Sequence, residues 1–194
     1  MSVVKCVSAA ALLAPLLALA AIAPAHARTL EERTAECVAC HGPGGSSATP
    51  GVPSIAGQPQ FFLTNQLILM REGVRPVPAM ADVLKGLKDE EAVALAERFA
   101  ASLIVRSDET ADPALVKRGS ELAVKMRCAS CHMPGYEGSE QMPRLSGQRI
   151  DYMIDALKAY RDDKRPGADT AMTAVVYGAS DADLAALAHY TATK

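Results

Sequence analysis

The chain has 194 residues, of which 49% are hydrophobic and 22% are charged, and its net charge at pH 7 is −2. It carries no basic stripe of the kind that binds nucleic acid, so the composition excludes a nucleic-acid partner. A chain of this length forms one domain or two small ones.

Residues 1–27 have the pattern of a secretory signal peptide. Lys5 is their only charged residue, an apolar run follows it, and Ala25, His26 and Ala27 form a small-x-small cleavage site. The apolar run is short for a membrane span. The alternative is an uncleaved anchor, but we expect cleavage after Ala27, a periplasmic protein, and no integral membrane span once the signal is removed.

The first half after the signal predicts three helices. A capping box at Thr29 and Glu32 begins a helix that is predicted to run into Cys37. Residues 60–71 form an apolar helix, and residues 90–103 form the closing helix of this half. No stretch alternates as a strand does, so we predict an all-α protein.

A polar, acidic stretch over 107–112 predicts a linker to the second half. Asp112 followed by Pro113 is a typical helix start, and the helix is predicted to run straight into Cys128. Residues 181–191 form the last helix, which also begins with a capping box.

The second half repeats the first. A Pro-x-x-x-Gly-Gln segment at 53–58 returns at 143–148, and an Arg-Pro pair at 75–76 returns at 165–166. This repeated order indicates one duplicated domain rather than a solenoid, which needs more copies. The predicted boundaries are 28–106 for the N-terminal domain, 107–112 for the linker and 113–194 for the C-terminal domain.

Two Cys-x-x-Cys-His motifs, one in each half, carry the chemistry. Two thiols one helical turn apart can each form a thioether with a haem vinyl group, and the next histidine can ligate the iron. Zinc ribbons place such pairs only about 15–20 residues apart, and a thioredoxin-like pair needs a βαβ setting, so neither alternative fits. We predict two covalently bound haem c groups, attached at Cys37, Cys40, Cys128 and Cys131 and ligated by His41 and His132.

The remaining cysteines and histidines limit the other iron ligands. Cys6 and His26 leave with the signal peptide, so every remaining cysteine lies in a motif and His189 is the one histidine outside them. At most one haem can have two histidine ligands, and the other iron needs a different ligand or an open site. Nothing in the first half repeats His189, which we predict to be a solvated helix residue.

Methionine is the favoured second ligand, because a thioether sulfur on haem iron raises the reduction potential. Met80 and Met172 lie in matched positions, each after an Arg-Pro pair and before a closing helix, and we predict both in loops. Met133 and Met142 have no clear counterparts in the first half. Three methionines within helical patterns are predicted to fill the core instead. They are Met70, Met126 and Met153.

Two further sets of residues are candidates for supporting roles. Pro53 and Pro143 follow the motifs in matched positions, where a carbonyl could accept a hydrogen bond from the haem histidine, unless these prolines are plain turns. Four arginines are candidates to neutralise haem propionates, unless they are solvated helix ends. They are Arg71, Arg75, Arg161 and Arg165.

These features resemble the two-haem cytochrome c4 family over essentially the whole chain after residue 27. The resemblance rests on the two Cys-x-x-Cys-His motifs, the two Pro-x-x-x-Gly-Gln segments and the methionine before each acidic-capped closing helix. It implies two tandem class I cytochrome c domains related by a pseudo-twofold. It also implies ligation by His41 with Met80 and by His132 with Met172.

One departure from that family is visible. Its domains pack a glycine of the first helix against an aromatic residue of the last helix, and Gly119 and Tyr190 fit this pattern in the second half. Arg28 and Arg98 stand at the matching positions of the first half. We therefore expect the helix crossing there to be built differently, with Phe99 as a candidate.

The resemblance implies an electron carrier and not an enzyme, since iron with six ligands leaves no place for a substrate. We expect single-electron transfer between respiratory or oxidative donors and a terminal oxidase or membrane redox complex. An alternative is the haem-bearing, electron-accepting subunit of a complex like flavocytochrome c sulfide dehydrogenase, in which a separate flavoprotein is catalytic. A third alternative is a small peroxidase or thiosulfate-oxidising enzyme in which one haem iron has an open coordination site. The matched methionines argue against this alternative.

Overall fold

The computed structural model describes residues 28–167 and 170–194, so the predicted signal peptide lies outside the described residues. Within these ranges the chain is helical and has no strand, apart from an isolated bridge between Ser139 and Met142. The predicted all-α class is confirmed. None of the described helices is long and apolar enough to cross a membrane.

The helices follow the repeat. Those of the first half are α1 (Leu30–His41), α2 (Gln60–Arg71), α3 (Pro78–Leu84) and α4 (Asp89–Ala100). Those of the second half are α5 (Pro113–Lys125), α6 (Ala129–His132), α7 (Ile150–Arg161), α8 (Thr170–Val176) and α9 (Asp181–Ala192). The predicted bounds of α2 are confirmed, whereas α4 ends at Ala100, short of its predicted end at residue 103.

Polar caps fix the starts of three helices as predicted. The Glu32 backbone N–H donates to the Thr29 hydroxyl at 3.2 Å, and the Thr29 N–H donates to the Glu32 carboxylate at 2.7 Å. Ser180 and Asp183 form the same capping box at α9, and Asp112 caps α5. These side chains satisfy backbone N–H groups that have no partner within the helix.

Two predictions of local structure are wrong. The helix before the second motif does not run straight into Cys128, because Arg127 adopts a left-handed conformation with φ of 57° and separates α5 from α6. Met80 and Met172 do not lie in loops but within the seven-residue helices α3 and α8. Pro78 begins α3, since proline suits the first helical position.

Each half has its own apolar core. In the first half α2 packs on α4 around Leu63, Leu95 and Phe99. In the second half α9 packs on both α5 and α7, with Leu184 and Leu187 buried.

The crossing of first and last helices differs between the halves. At Gly119 a Cβ atom would collide with the Ala186 carbonyl and lie 2.7 Å from Tyr190 Cβ, so the predicted glycine–aromatic contact is confirmed. In the first half the crossing is polar. Arg98 donates to the Thr34 hydroxyl at 3.0 Å, and the buried Arg33 lies 3.5 Å from a carboxylate oxygen that α4 presents.

The repeated Pro-x-x-x-Gly-Gln segments join the two halves. The Gln58 side chain forms two hydrogen bonds with the backbone of Arg144, and the Gln148 side chain forms two with the backbone of Ser54. Because these residues hold equivalent positions in the repeat, the two sets of bonds are related by the pseudo-twofold.

The acidic linker is held against the start of α7. The side chain of Arg149, which is 4% exposed, pairs with Asp108 at 3.4 Å and with Asp151 at 2.9 Å. The Glu109 carboxylate accepts hydrogen bonds from the Ile150 and Asp151 backbone N–H groups at 2.7 and 3.0 Å. This carboxylate therefore caps α7 and fixes the path of the chain between the halves.

Candidate haem sites

The two Cys-x-x-Cys-His motifs present the same pattern. On the last turns of α1, Cys37 is partly buried, Cys40 is exposed and His41 is buried. The second motif, on α6, repeats a partly buried cysteine, an exposed cysteine and the buried His132. Each motif thus turns its histidine inwards.

A proline carbonyl fixes the orientation of each histidine. Nδ1–H of His41 donates to the Pro53 carbonyl at 2.8 Å, and Nδ1–H of His132 donates to the Pro143 carbonyl at 2.9 Å. Because a carbonyl oxygen only accepts, Nδ1 carries the proton and Nε2 keeps its lone pair for a metal. Burial lowers the pKa of both imidazoles, against the opposing effect of the carbonyls. The predicted histidine–proline contact is confirmed.

Both histidines line one cavity of about 520 Å³ that extends through both halves. Its walls are mainly apolar, with Leu67 and Leu95 from the first half and Leu157 from the second. No three His, Cys, Asp or Glu side chains of the described residues are grouped so that they could hold a metal ion unaided. The cavity therefore fits a largely apolar macrocycle that brings its own iron ligands.

Met80 and Met172 line this cavity, each in its own half, and both are partly buried. Contact with the cavity does not single them out, because four other methionines also line it. Those four are Met70, Met126, Met142 and Met153. Only Met80 and Met172 correspond to each other in the repeat, since they occupy the matching helices α3 and α8.

The four arginines predicted as candidates to neutralise haem propionates lie in two different settings. Arg71 and Arg161 lie outside the cavity and form ion pairs with the first aspartate of α4 and of α9. Arg75 and Arg165 are half-buried and line the cavity. Neither of these two pairs with a carboxylate of the described residues, so both are suited to an anionic group of a ligand.

Tyr152 joins Arg75 and Arg165 at the cavity wall. Arg165 donates to the Tyr152 hydroxyl at 3.4 Å. The pKa of Arg75 is lowered by burial and by the neighbouring Arg165. Burial alone would raise the pKa of Tyr152, but the two arginines lower it. Two positive charges, one from each half, thus lie close together where propionates of a bound haem could neutralise them.

Comparison with known proteins identifies the family. The family model "Cytochrome c" matches residues 116–193. Cytochrome c4 of Azotobacter vinelandii is 33% identical over 178 residues, which cover 81% of this chain and 84% of that protein. The chain belongs to the cytochrome c4 family.

Two further proteins are similar to this chain. The crystal structure of reduced recombinant cytochrome c4 from Pseudomonas stutzeri matches with a TM-score of 0.75 and 29% identity, over 86% of this chain and 98% of that one. A thiosulfate dehydrogenase electron acceptor of Thiomonas intermedia is 32% identical over 185 residues, or 89% of this chain and 84% of that protein.

This cytochrome therefore has two tandem class I domains and two covalently bound haem c groups, one on Cys37 and Cys40 and one on Cys128 and Cys131. It is an electron carrier and not an enzyme. The predicted fold, cofactor and family are confirmed.

His189 has a structural role in this cytochrome. Its Nδ1 accepts a hydrogen bond from the Asp112 backbone N–H at 3.0 Å, and its side chain is half-buried. As predicted, His189 lies on a helix, but it is half-buried rather than fully solvated, because it ties the start of α5 to α9. It does not line the haem cavity.

Sequence reasoning missed three residues of the haem sites. Tyr152 comes shortly after the repeated segment at 143–148, and nothing in its neighbours along the chain indicates the two arginines. Gln58 and Gln148 are repeated at equivalent positions. That repetition signals a role but does not reveal that each glutamine bonds to the opposite half.

Proposed function

We propose that this cytochrome works in the periplasm and carries single electrons between respiratory or oxidative donors and a terminal oxidase. The observation that supports the proposal is the single cavity shared by both haem-attachment motifs. Electrons enter at one haem and leave from the other. In this proposal residues 1–27 are a signal peptide, residues 28–106 and 113–194 form the two domains, and residues 107–112 are the linker between them.

In this proposal each iron has one imidazole and one thioether ligand. His41 acts with Met80, and His132 acts with Met172. The shared cavity wall and the carbonyl-bound Nδ1 of each histidine support the assignment. Iron with six ligands in both oxidation states reorganises little, which suits electron relay, and the sulfur ligand favours a high potential.

The arginines at the cavity wall are expected to raise the haem potentials. Arg165→Gln removes a positive charge that disfavours ferric iron, so the reduction potential should fall. The expected loss of Coulomb energy between the guanidinium and the iron is about 1 kcal/mol at an effective dielectric constant of about 20. Arg161→Gln is the matched control, because Arg161 pairs with aspartates outside the cavity. Redox titration of both variants measures the difference, and equal potentials in the two would contradict this role.

Electron transfer to an oxidase can be tested with reduced holoprotein and respiratory membranes. We expect the membranes to reoxidise the cytochrome in air and cyanide to stop the reaction. A cytochrome that such membranes leave reduced, across a range of ionic strengths, would show that a terminal oxidase is not its acceptor.

A second candidate function is that of an electron-accepting subunit in an enzyme complex. The similarity to the thiosulfate dehydrogenase electron acceptor favours a thiosulfate dehydrogenase as the catalytic partner over the flavoprotein considered from the sequence. Mild purification from the native host distinguishes the cases, because a stoichiometric dehydrogenase or flavoprotein would accompany a subunit. A free carrier would be isolated alone.

A further inference from the structure

Each haem histidine is hydrogen-bonded to a peptide group that also bonds to the opposite domain. The Pro53 carbonyl accepts from His41 Nδ1 at 2.8 Å. The N–H at the other end of the same peptide, on Ser54, donates to Gln148 Oε1 at 2.8 Å. Gln148 Nε2 also donates to the Ser54 carbonyl at 2.8 Å, so one amide holds this backbone at two points.

The pseudo-twofold repeats this arrangement in the other direction. The Pro143 carbonyl accepts from His132 Nδ1 at 2.9 Å. The N–H of the same peptide, on Arg144, donates to Gln58 Oε1 at 2.9 Å, and Gln58 Nε2 donates to the Arg144 carbonyl at 2.8 Å. Two chains of hydrogen bonds therefore cross the interface, each from an amide in one domain to a histidine in the other.

Both chains are shielded from water. Ser54, Gln58, Arg144 and Gln148 are each no more than 4% exposed. In such surroundings a hydrogen bond is stronger than in water, and linked hydrogen bonds polarise one another. A peptide whose N–H is bonded therefore offers a better acceptor at its carbonyl.

We propose that Gln58 and Gln148 are positioning residues that set the reduction potential of the haem in the opposite domain. This inference rests on the proposed ligation of iron by His41 and His132. A stronger bond from Nδ1–H to the carbonyl makes the imidazole a stronger donor to iron. Since a stronger donor stabilises ferric iron, removing the amide raises the potential of the haem across the interface.

The test compares Gln148→Met with Gln58→Met in the holoprotein. Methionine keeps the side-chain length and removes the amide hydrogen bonds. In Gln148→Met we expect the equilibrium constant between ferric and ferrous iron at the N-terminal haem to change roughly two- to tenfold in favour of the ferrous form. This corresponds to a rise in its reduction potential of about 18–59 mV for one electron, with a smaller change at the C-terminal haem. Gln58→Met should give the reverse pattern, and Gln60→Met, at an exposed position, should shift neither haem.

Redox titration combined with NMR of the haem methyl groups assigns each potential to a domain. A merely structural loosening of the interface would move both haems together, whereas the proposal requires the crossed pattern. Gln148→Glu keeps an acceptor oxygen, so it should return the N-terminal haem to the wild-type potential or below it. Equal shifts, a larger shift in the mutated domain, or no shift would each overturn the proposal. The ligands of the wild-type haems are determined separately from their spectra, so an error in the proposed ligation is recognised on its own.

Discussion

Met172→Ala is expected to remove half of the red absorption band that arises from the bond between ferric haem iron and methionine sulfur. It should also lower the reduction potential of the C-terminal haem alone. The substitution takes away the sulfur that favours ferrous iron. The expected fall is on the order of 0.1–0.2 V, within the ~0.8 V range that axial ligands span. Met80→Ala should have the same effect on the N-terminal haem. Absorption spectra and redox titration measure both effects.

The cavity offers matched controls for this prediction. Met70 and Met142, one from each half, line the same cavity. Replacement of either by leucine removes a sulfur at similar volume, so packing should be nearly preserved. We expect both control variants to keep the full band. Persistence of the band in Met172→Ala, or its partial loss in Met142→Leu, would assign the ligand to another methionine.

The double substitution Cys128→Ser and Cys131→Ser is expected to leave one covalent haem per chain and to unfold the C-terminal half. The haem cavity measures about 520 Å³. Because this cavity extends through both halves, the loss of one haem empties about half of it, which at about 24 cal/mol per Å³ would cost on the order of 6 kcal/mol and is comparable with the whole stability of a domain. Acid–acetone extraction counts the covalent haem, and circular dichroism measures the helix that is lost.

The single substitution Cys131→Ser provides the control. It keeps one thioether on Cys128, and we expect it to retain two covalent haems and a folded C-terminal half. Two haems that resist extraction in the double variant, or unchanged helix content, would contradict covalent attachment at this motif.

Local signals were sufficient to predict the haem attachment sites and the main helices. The capping residues Thr29 and Asp112 mark their helices correctly because a cap depends on only a few neighbouring residues. The histidine–proline contacts could be anticipated because both prolines follow their motifs in matched positions. Helices α3 and α8 were missed because seven residues are too few for a helical period to show. The break at Arg127 was missed because arginine gives no sign of a left-handed backbone.

Contacts between distant parts of the chain could not be predicted. Arg75 and Arg71 are similar in sequence context, yet one lines the cavity and the other pairs with an aspartate of α4. Their difference arises from elements that meet only in the folded chain. The same holds for Gln58 and Gln148, because a repeat does not tell whether a side chain bonds within its own half or across the interface.

The most direct test of electron relay through two six-coordinate haems is a reductive titration of the purified holoprotein, with carbon monoxide added at its end point. We predict the uptake of two electrons per chain, an iron–sulfur band from both ferric haems, and no binding of carbon monoxide by either ferrous haem. A haem that lacks the band when ferric and binds carbon monoxide when ferrous would contradict the relay.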